Sequence, residues 1–355
     1  MLLKGTLQHA HFKQAINAAQ VCATQAADGT LVFVSGPSGA GKSTLKDFLH
    51  KSLYRAIEPS KNQVPLIAVQ AANVNGGYFS SKDFYVRMLE QLGDPFRQMG
   101  ADAPDTSAQI REFLMQPFWT SIRVSMTEGK IRRAFEHLAR ACKLKAVLID
   151  EGQSMCLTHA GRNPSDHLES LKCLAEQLGI MIFIFGTYDL LEIWNHSAQL
   201  NRRTQLIHLA RYDGNLDEDR KAFFAVLRMY SRALAFKSPQ ILSRHAEEIL
   251  EWTCGVFGEV DALFTKATIF ARQESRTAIE WADIANAKYT AAQMERLRFE
   301  IEEGERKVRG EVRKVPGEVR KVSGKTRKQP AIASKHRRGH PGSRNPTRDQ
   351  RGQQT

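Results

Sequence analysis

The chain has 355 residues, 42% of them hydrophobic, enough to build a sizeable core in one large domain or in two. Its longest apolar run, "IMIFIF" at 180–185, falls far short of the ~20 residues that a membrane span requires, and the start "MLLKGTLQHAHFKQ" turns polar too early for a secretory signal. The net charge of +13 is local: residues 304–355 hold sixteen Lys/Arg against four Asp/Glu, so the preceding body is nearly neutral and a uniformly polycationic protein is excluded.

Short apolar runs bounded by turn or polar residues predict strands at 30–36, 64–72, 145–151 and 180–187, with a weaker fifth at 204–210. Runs apolar on both faces fit a parallel sheet covered by helices. Between them lie helical patterns. After the first strand, Leu45, Phe48, Leu49 and Leu53 share a face. After Ser80 and Ser81, the residues Tyr85, Met88, Leu89 and Leu92 recur at i, i+3, i+4 and i+7, and Gly93 and Pro95 stop that helix. Alternating strand and helix predicts a doubly wound α/β domain.

From Asp217 onward the strand pattern ends. "EDRKAFFAVLRMYSRAL" and "SPQILSRHAEEILEWTCG" read as amphipathic helices, the second with Ser238 as N-cap, Pro239 in the first turn and Gly255 at its end. Two more helical stretches cover 260–274 and 277–302. The expected layout is a helical segment at 1–28 packing on the core, a nucleotide-binding α/β domain at 29–213, an all-helical lid at 214–303, and a tail at 304–355. The tail carries the near-repeat "GEVRKVP", "GEVRKVS", "GKTRKQP", whose glycines and prolines argue for a disordered basic arm over a coiled coil. Cys22, Cys142, Cys156, Cys173 and Cys254 are scattered and odd in number, which suits reduced thiols in a cytoplasm.

The first strand runs into Gly36, Pro37, Ser38, Gly39, Ala40, Gly41, Lys42, Ser43 and Thr44. This fits Gly-x4-Gly-Lys-Ser between a strand and a helix, the setting that marks a phosphate-binding P-loop. Its glycines let backbone N–H groups turn around phosphates, and the helix N-terminus adds positive potential. Lys42 is expected to reach the β- and γ-phosphates of ATP, and the Ser43 hydroxyl to ligate Mg2+.

At the end of the third strand "AVLIDE" supplies Asp150 for the magnesium shell and Glu151 to activate the attacking water. A water-polarising glutamate argues against a nucleotide kinase, which must exclude water, and no "LSGGQ"-like signature supports a transporter ATPase. Thr187, after the fourth strand, is placed to touch the γ-phosphate or to orient the water, unless it is an ordinary loop threonine. Arg202 and Arg203, immediately before the fifth strand, are candidates for an arginine that reaches a neighbouring subunit's γ-phosphate, with Arg202 slightly favoured. The alternative is a solvated pair.

The segment "DEGQSMCLTHAGRNPSDHLESLKCLAEQLGIMIFIFGTYDL", beginning at Asp150, resembles the ATPase subunits of bacterial transposons, the TniB/TnsC type of AAA+ protein. "HFKQAIN", "VPLIAVQAANVNGGYFSSKDFYVRMLEQLGDP" and "NRRTQLIHLARYD" are similar to other parts of that family, in the same order, over about residues 9–290. The resemblance implies an AAA+ fold with a five-stranded parallel sheet and a helical lid, using ATP and Mg2+. It implies a cytoplasmic, nucleoid-associated bacterial regulator of transposition that assembles head-to-tail, as a ring or filament, on double-stranded DNA. Hydrolysis would drive disassembly, and the partners would be a transposase and a target-selector protein, with no membrane involved.

Two departures stand out. Gly258 and Glu259 occupy the place where many AAA+ proteins carry a nucleotide-sensing arginine, and the segment 100–129 is long and peculiar. Lys82, Lys130, Arg132 and Arg133 are candidate DNA-phosphate contacts, weighed against solvated helix faces, and the tail is a candidate arm for DNA or a partner. The competing readings are a nucleotide-switched scaffold and a replication- or defence-type P-loop ATPase, although an origin loader would usually add a DNA-binding domain after the lid.

Overall fold

The computed structural model describes residues 9–57, 63–73, 77–92, 126–158, 163–195 and 204–310. The strands are β1 (Leu31–Ser35), β2 (Leu66–Gln70), β3 (Ala146–Asp150), β4 (Met181–Gly186) and β5 (Thr204–His208), each inside its expected run. They form one sheet in the order β2-β3-β4-β1-β5, with every pairing parallel. The physical cause is visible in the alternation. Leu31, Phe33, Ile67, Val147 and Ile182 face one apolar cluster, while Val32, Val34, Leu148, Phe183 and Ile207 face another. Two buried faces need helices on both sides.

Helices α1 (Ala10–Gln25) and α2 (Lys42–Ile57) cover one face, through Phe12, Ile16, Leu45 and Leu49. Helices α3 (Ser81–Leu92), α4 (Glu128–Ala141) and α5 (Ser165–Leu178) cover the other, through Tyr85, Met88, Phe135 and Leu171. The residues that were to stop α3, Gly93 and Pro95, and the segment 100–125 lie outside the described residues. A 3-10 turn (Gly152–Cys156) follows β3, and the short α6 (Leu190–Asn195) follows β4.

The described residues from 217 onward are mainly helical: α7 (Asp217–Ala233), α8 (Ile241–Arg244), α9 (Ala246–Trp252), α10 (Phe257–Gln273), α11 (Trp281–Ala287) and α12 (Ala291–Val308). Its core includes Phe223, Tyr230, Ile249, Phe264 and Ile284. Three details differ from the sequence expectation. The helix expected after Ser238 is two helices, broken at His245, whose ring stacks on Trp281 at 3.7 Å between centroids. The stretch 277–302 is also two helices: Lys288 is extended, and Thr290 with Gln293 forms a capping box that starts α12.

The third difference is at the tail boundary. Helix α12 continues past Gly304 to Val308, because Gly304 is buried against the Tyr188 ring and leaves no room for a side chain there. Arg211 then pairs with Glu305 at 2.8 Å, and Lys307 with Glu192 at 2.7 Å. Residues 311–355, most of the expected tail, lie outside the described residues. All five cysteines are free thiols, and among the described residues no helix is long and apolar enough to cross a membrane.

Candidate functional site

Parallel strands bring their C-terminal ends to one edge of the sheet, where ligands of open α/β folds bind. Here Ser35 pairs with Gly186 across β1 and β4, and Gln70 pairs with Asp150 across β2 and β3. The loop after β1, the Asp150–Glu151 pair after β3 and Thr187 after β4 therefore share that edge. They line a cleft of about 410 Å³ together with Gln153 and, from the helical part, Phe257, Gly258 and Asp261.

Within the loop, Gly39 (φ 76°) and Gly41 (φ 96°) adopt left-handed backbone that other residues enter at a cost, which turns the chain around the cleft and into α2. The first-turn N–H groups of α2 have no intrahelical acceptor and carry the positive end of the helix dipole. Gly258 donates its N–H to the Gly39 carbonyl at 2.9 Å, and a side chain at 258 would collide with Gly39. The departure noted in the sequence thus has a cause: α10 begins in direct contact with the loop, and that contact requires glycine.

Lys42 Nζ donates to the Gly36 carbonyl at 3.0 Å and the Pro37 carbonyl at 2.7 Å. Burial pulls its pKa down to about 8, against the opposing pull of Glu151 and Asp150, so an anion delivered to this cleft would restore the charged form. Ser43 Oγ lies 3.5 Å from Asp150 Oδ1. Among the described residues no three His, Cys, Asp or Glu side chains converge as a metal cage. A serine hydroxyl and one carboxylate suit Mg2+, which keeps most of its shell as water and phosphate oxygens. The residues therefore fit a magnesium-bound triphosphate: Gly36 to Thr44 would hold the phosphates, and Ser43 with Asp150 the metal.

Glu151 stands in left-handed backbone (φ 55°), an uncommon conformation for a residue with a side chain, of the kind held at functional sites by surrounding contacts. One such contact is Gln153, whose Nε2 donates to Glu151 Oε2 at 2.5 Å while its Oε1 accepts from the Thr187 N–H at 3.2 Å. Gln153 was missed by the sequence reading, although "DEGQ" puts a polar side chain one short turn past Glu151. Thr187 Oγ1 donates to Asp189 Oδ2 at 3.3 Å, and Ser35 Oγ donates to the Thr187 carbonyl at 3.2 Å. Thr187 is thus held from three sides beside the glutamate.

Of the remaining candidates, Lys82, Lys130, Arg132 and Arg133 do not line this cleft. Arg202 and Arg203 lie outside the described residues. Thr204, which follows them, pairs with Leu31 at the edge of the sheet away from the loop. Lys82 is half-buried at the start of α3, while Lys130 and Arg133 are exposed on α4. Arg132 is half-buried on the same helix. It donates to Glu136 at 2.9 Å and Ser170 at 3.0 Å and sits 5.9 Å from the Tyr85 ring centroid, so its guanidinium joins α4 to α3 and α5.

Residues 26–194 match the family model of the AAA domain. No curated protein matches the sequence. Among solved structures, the ORC2 protein of Aeropyrum pernix in its ADPNP–ADP complexes is similar at a TM-score of 0.51 and 15% identity, covering 80% of this chain and 68% of that one. The Aeropyrum pernix ORC1 protein in complex with DNA is similar at a TM-score of 0.54 and 12% identity, covering 84% of this chain and 68% of that one. At such identities the likeness is one of fold. Residues 26–194 are thus similar to the AAA domain, and with the helices that follow they take the AAA+ P-loop fold.

Proposed function

We propose that this protein is a magnesium-dependent ATPase that assembles head-to-tail on duplex DNA and regulates DNA transposition, linking target selection to transposase recruitment. The observation that carries the enzymatic part is the single cleft that gathers Lys42, Ser43, Asp150, Glu151 and Thr187 under Phe257 and Gly258. The transposition part rests on the sequence resemblance over about residues 9–290, and none of the likenesses above is specific to it.

In this reading Lys42 leaves its two loop carbonyls for the β- and γ-phosphate oxygens. Magnesium held by Ser43 and Asp150 would supply neutralisation of the phosphate charge. Ser43 and Asp150 orient the phosphate end. Glu151, fixed by Gln153, takes a proton from water as the water oxygen attacks the γ-phosphorus and the bond to the β-phosphate oxygen breaks. Thr187 orients that water. The strand following Arg202 and Arg203 begins at the edge away from the cleft, which favours their serving a neighbour's γ-phosphate; such an interface is heterologous and builds rings or open filaments. DNA contacts are assigned to phosphates through Lys82, Lys130 and Arg133 and through the basic tail, so binding weakens with salt.

Electron microscopy of the full chain on duplex DNA, with ATP, ADP or a non-hydrolysable analogue, tests the proposal. Rings or filaments that need the triphosphate and vanish in Lys42→Ala are expected. A monomer indifferent to DNA in every nucleotide state overturns it. The fold shared with the two ORC proteins favours a replication-type role as the second reading. Stimulation of strand transfer by a transposase in a reconstituted assay, against stimulation of origin-dependent loading, separates the two.

A further inference from the structure

Lys46 lies one helical turn beyond Lys42, outside the residues that define the phosphate loop, and nothing in the mechanism above uses it. Its Nζ is 2.8 Å from Asp150 Oδ2, and the two side chains are only 18% and 13% exposed. Lys42, by contrast, is turned to loop carbonyls. The other oxygen of Asp150, Oδ1, accepts the Glu151 N–H at 3.0 Å and faces Ser43 Oγ at 3.5 Å. Both oxygens of the carboxylate assigned to the metal shell are therefore engaged, one of them by a tethered cation. A second carboxylate, Asp47, stands 3.5 Å from the same Nζ and is 66% exposed, which gives Lys46 an alternative partner at the rim. A pair this sheltered is less screened by salt and water than an ordinary surface pair.

We infer that Lys46 is a positioning residue for the metal site: a built-in counter-cation that occupies Asp150 when no metal is bound and yields it, swinging toward Asp47, when hydrated magnesium arrives. This rests on the nucleotide reading of the cleft. Two effects follow from the charge alone. Without metal, Lys46 offsets the repulsion between Asp150 and an incoming polyanion, so it supports metal-free nucleotide binding. With metal, the lysine and the cation compete for one carboxylate, so it weakens the gain that magnesium brings. Both effects compress the ratio between the Kd measured in EDTA and the Kd measured in saturating magnesium.

The test is fluorescence titration of the full chain with a mant-labelled ATP in EDTA and in magnesium, for wild type, Lys46→Met, Lys46→Arg and Lys42→Ala. Lys46→Met is expected to widen the EDTA-to-magnesium Kd ratio about five- to tenfold, as removal of one sheltered charge contact implies, and to lower the half-saturating magnesium concentration. Lys46→Arg, which keeps the charge, is expected to stay near the wild-type ratio. A merely structural lysine would shift both Kd values together, and an unchanged ratio in Lys46→Met overturns the inference while leaving the nucleotide reading intact. Absence of binding by wild type in both conditions sinks that reading and this inference together. Loss of binding in Lys42→Ala under both conditions shows that the titration reports the loop.

Discussion

At the scale of single residues, the most informative side chain of the cleft is one that no motif names. Gln153 reaches Glu151 with its amide nitrogen and the Thr187 N–H with its amide oxygen, so one planar group sets the relative position of the ends of β3 and β4. If Glu151 is the base, its geometry matters more to turnover than to nucleotide affinity, because affinity comes from the loop amides and Lys42. Glu151→Gln is expected to lower hydrolysis by about 10²–10⁴-fold with nucleotide binding retained, the usual range for removing a general base. Gln153→Ala is expected to lower kcat by about tenfold through a misplaced carboxylate, with KM little changed. Steady-state kinetics decide this. A Gln153→Ala variant that raises KM and leaves kcat alone would assign the glutamine to binding instead.

At the scale of elements, α12 is the piece whose role the sequence conceals. It leaves the helical part and closes on the core at Gly304 and Tyr188, Glu305 and Arg211, and Lys307 and Glu192. Tyr188 directly follows Thr187, and its hydroxyl meets His208 Nε2 at 2.9 Å, so the helix bears on the ends of both β4 and β5. Gly304→Val puts a branched side chain into the Tyr188 ring and is expected to destabilise by about 1–3 kcal/mol through overpacking. Urea denaturation measures it, and Tyr188→Ala should relieve part of the cost in a double-mutant cycle. Simple additivity of the two variants would show that the contact is not where the cost arises. The same glycine shows what sequence could and could not show. Strands that are apolar on both faces, the loop and the Asp150–Glu151 pair declare themselves locally, through composition and spacing. Gly304 opens a run of glycine-led basic repeats and so reads as the start of the tail. Only the distant Tyr188 ring reveals it as a close approach inside a helix. Gln153 and Lys46 escaped notice, and Gly258 stood out only for the arginine it lacks, for the same reason, since each acts on a partner far away or in a different element.

At the scale of the whole molecule, one aromatic cluster joins the N-terminal helix, the exit of the sheet and the helical part. His9, buried just before α1, lies 5.1 Å from the Phe257 ring at the start of α10 and 5.7 Å from Phe12, and its Nδ1 is 2.8 Å from the Tyr212 hydroxyl after β5. Burial, with a smaller contribution from nearby His11, holds its pKa down at about 4, well below the 6.5 of an ordinary histidine. The folded form thus carries a neutral ring where the unfolded chain gains a proton. Between pH 6.5 and about 4 the unfolded state binds more protons than the folded one, so stability falls as pH falls through that window and is unaffected by His9 above it. Burial lowers His208, at the opposite end of β5 from Thr204, in the same direction, which steepens the slope. Thermal melts of the full chain from pH 7 to 5 are expected to show a falling Tm, flattened in part by His9→Phe, which keeps a ring in the cluster and removes one titrating site. Because Phe257 abuts the glycine that touches the loop, opening this cluster in acid should also loosen the lid. The mant-ATP Kd of the wild type is therefore expected to rise over the same pH range more than that of His9→Phe. Parallel pH profiles for the two proteins, in Tm and in Kd, would mean that the cluster is neither the acid-sensitive joint nor coupled to the cleft.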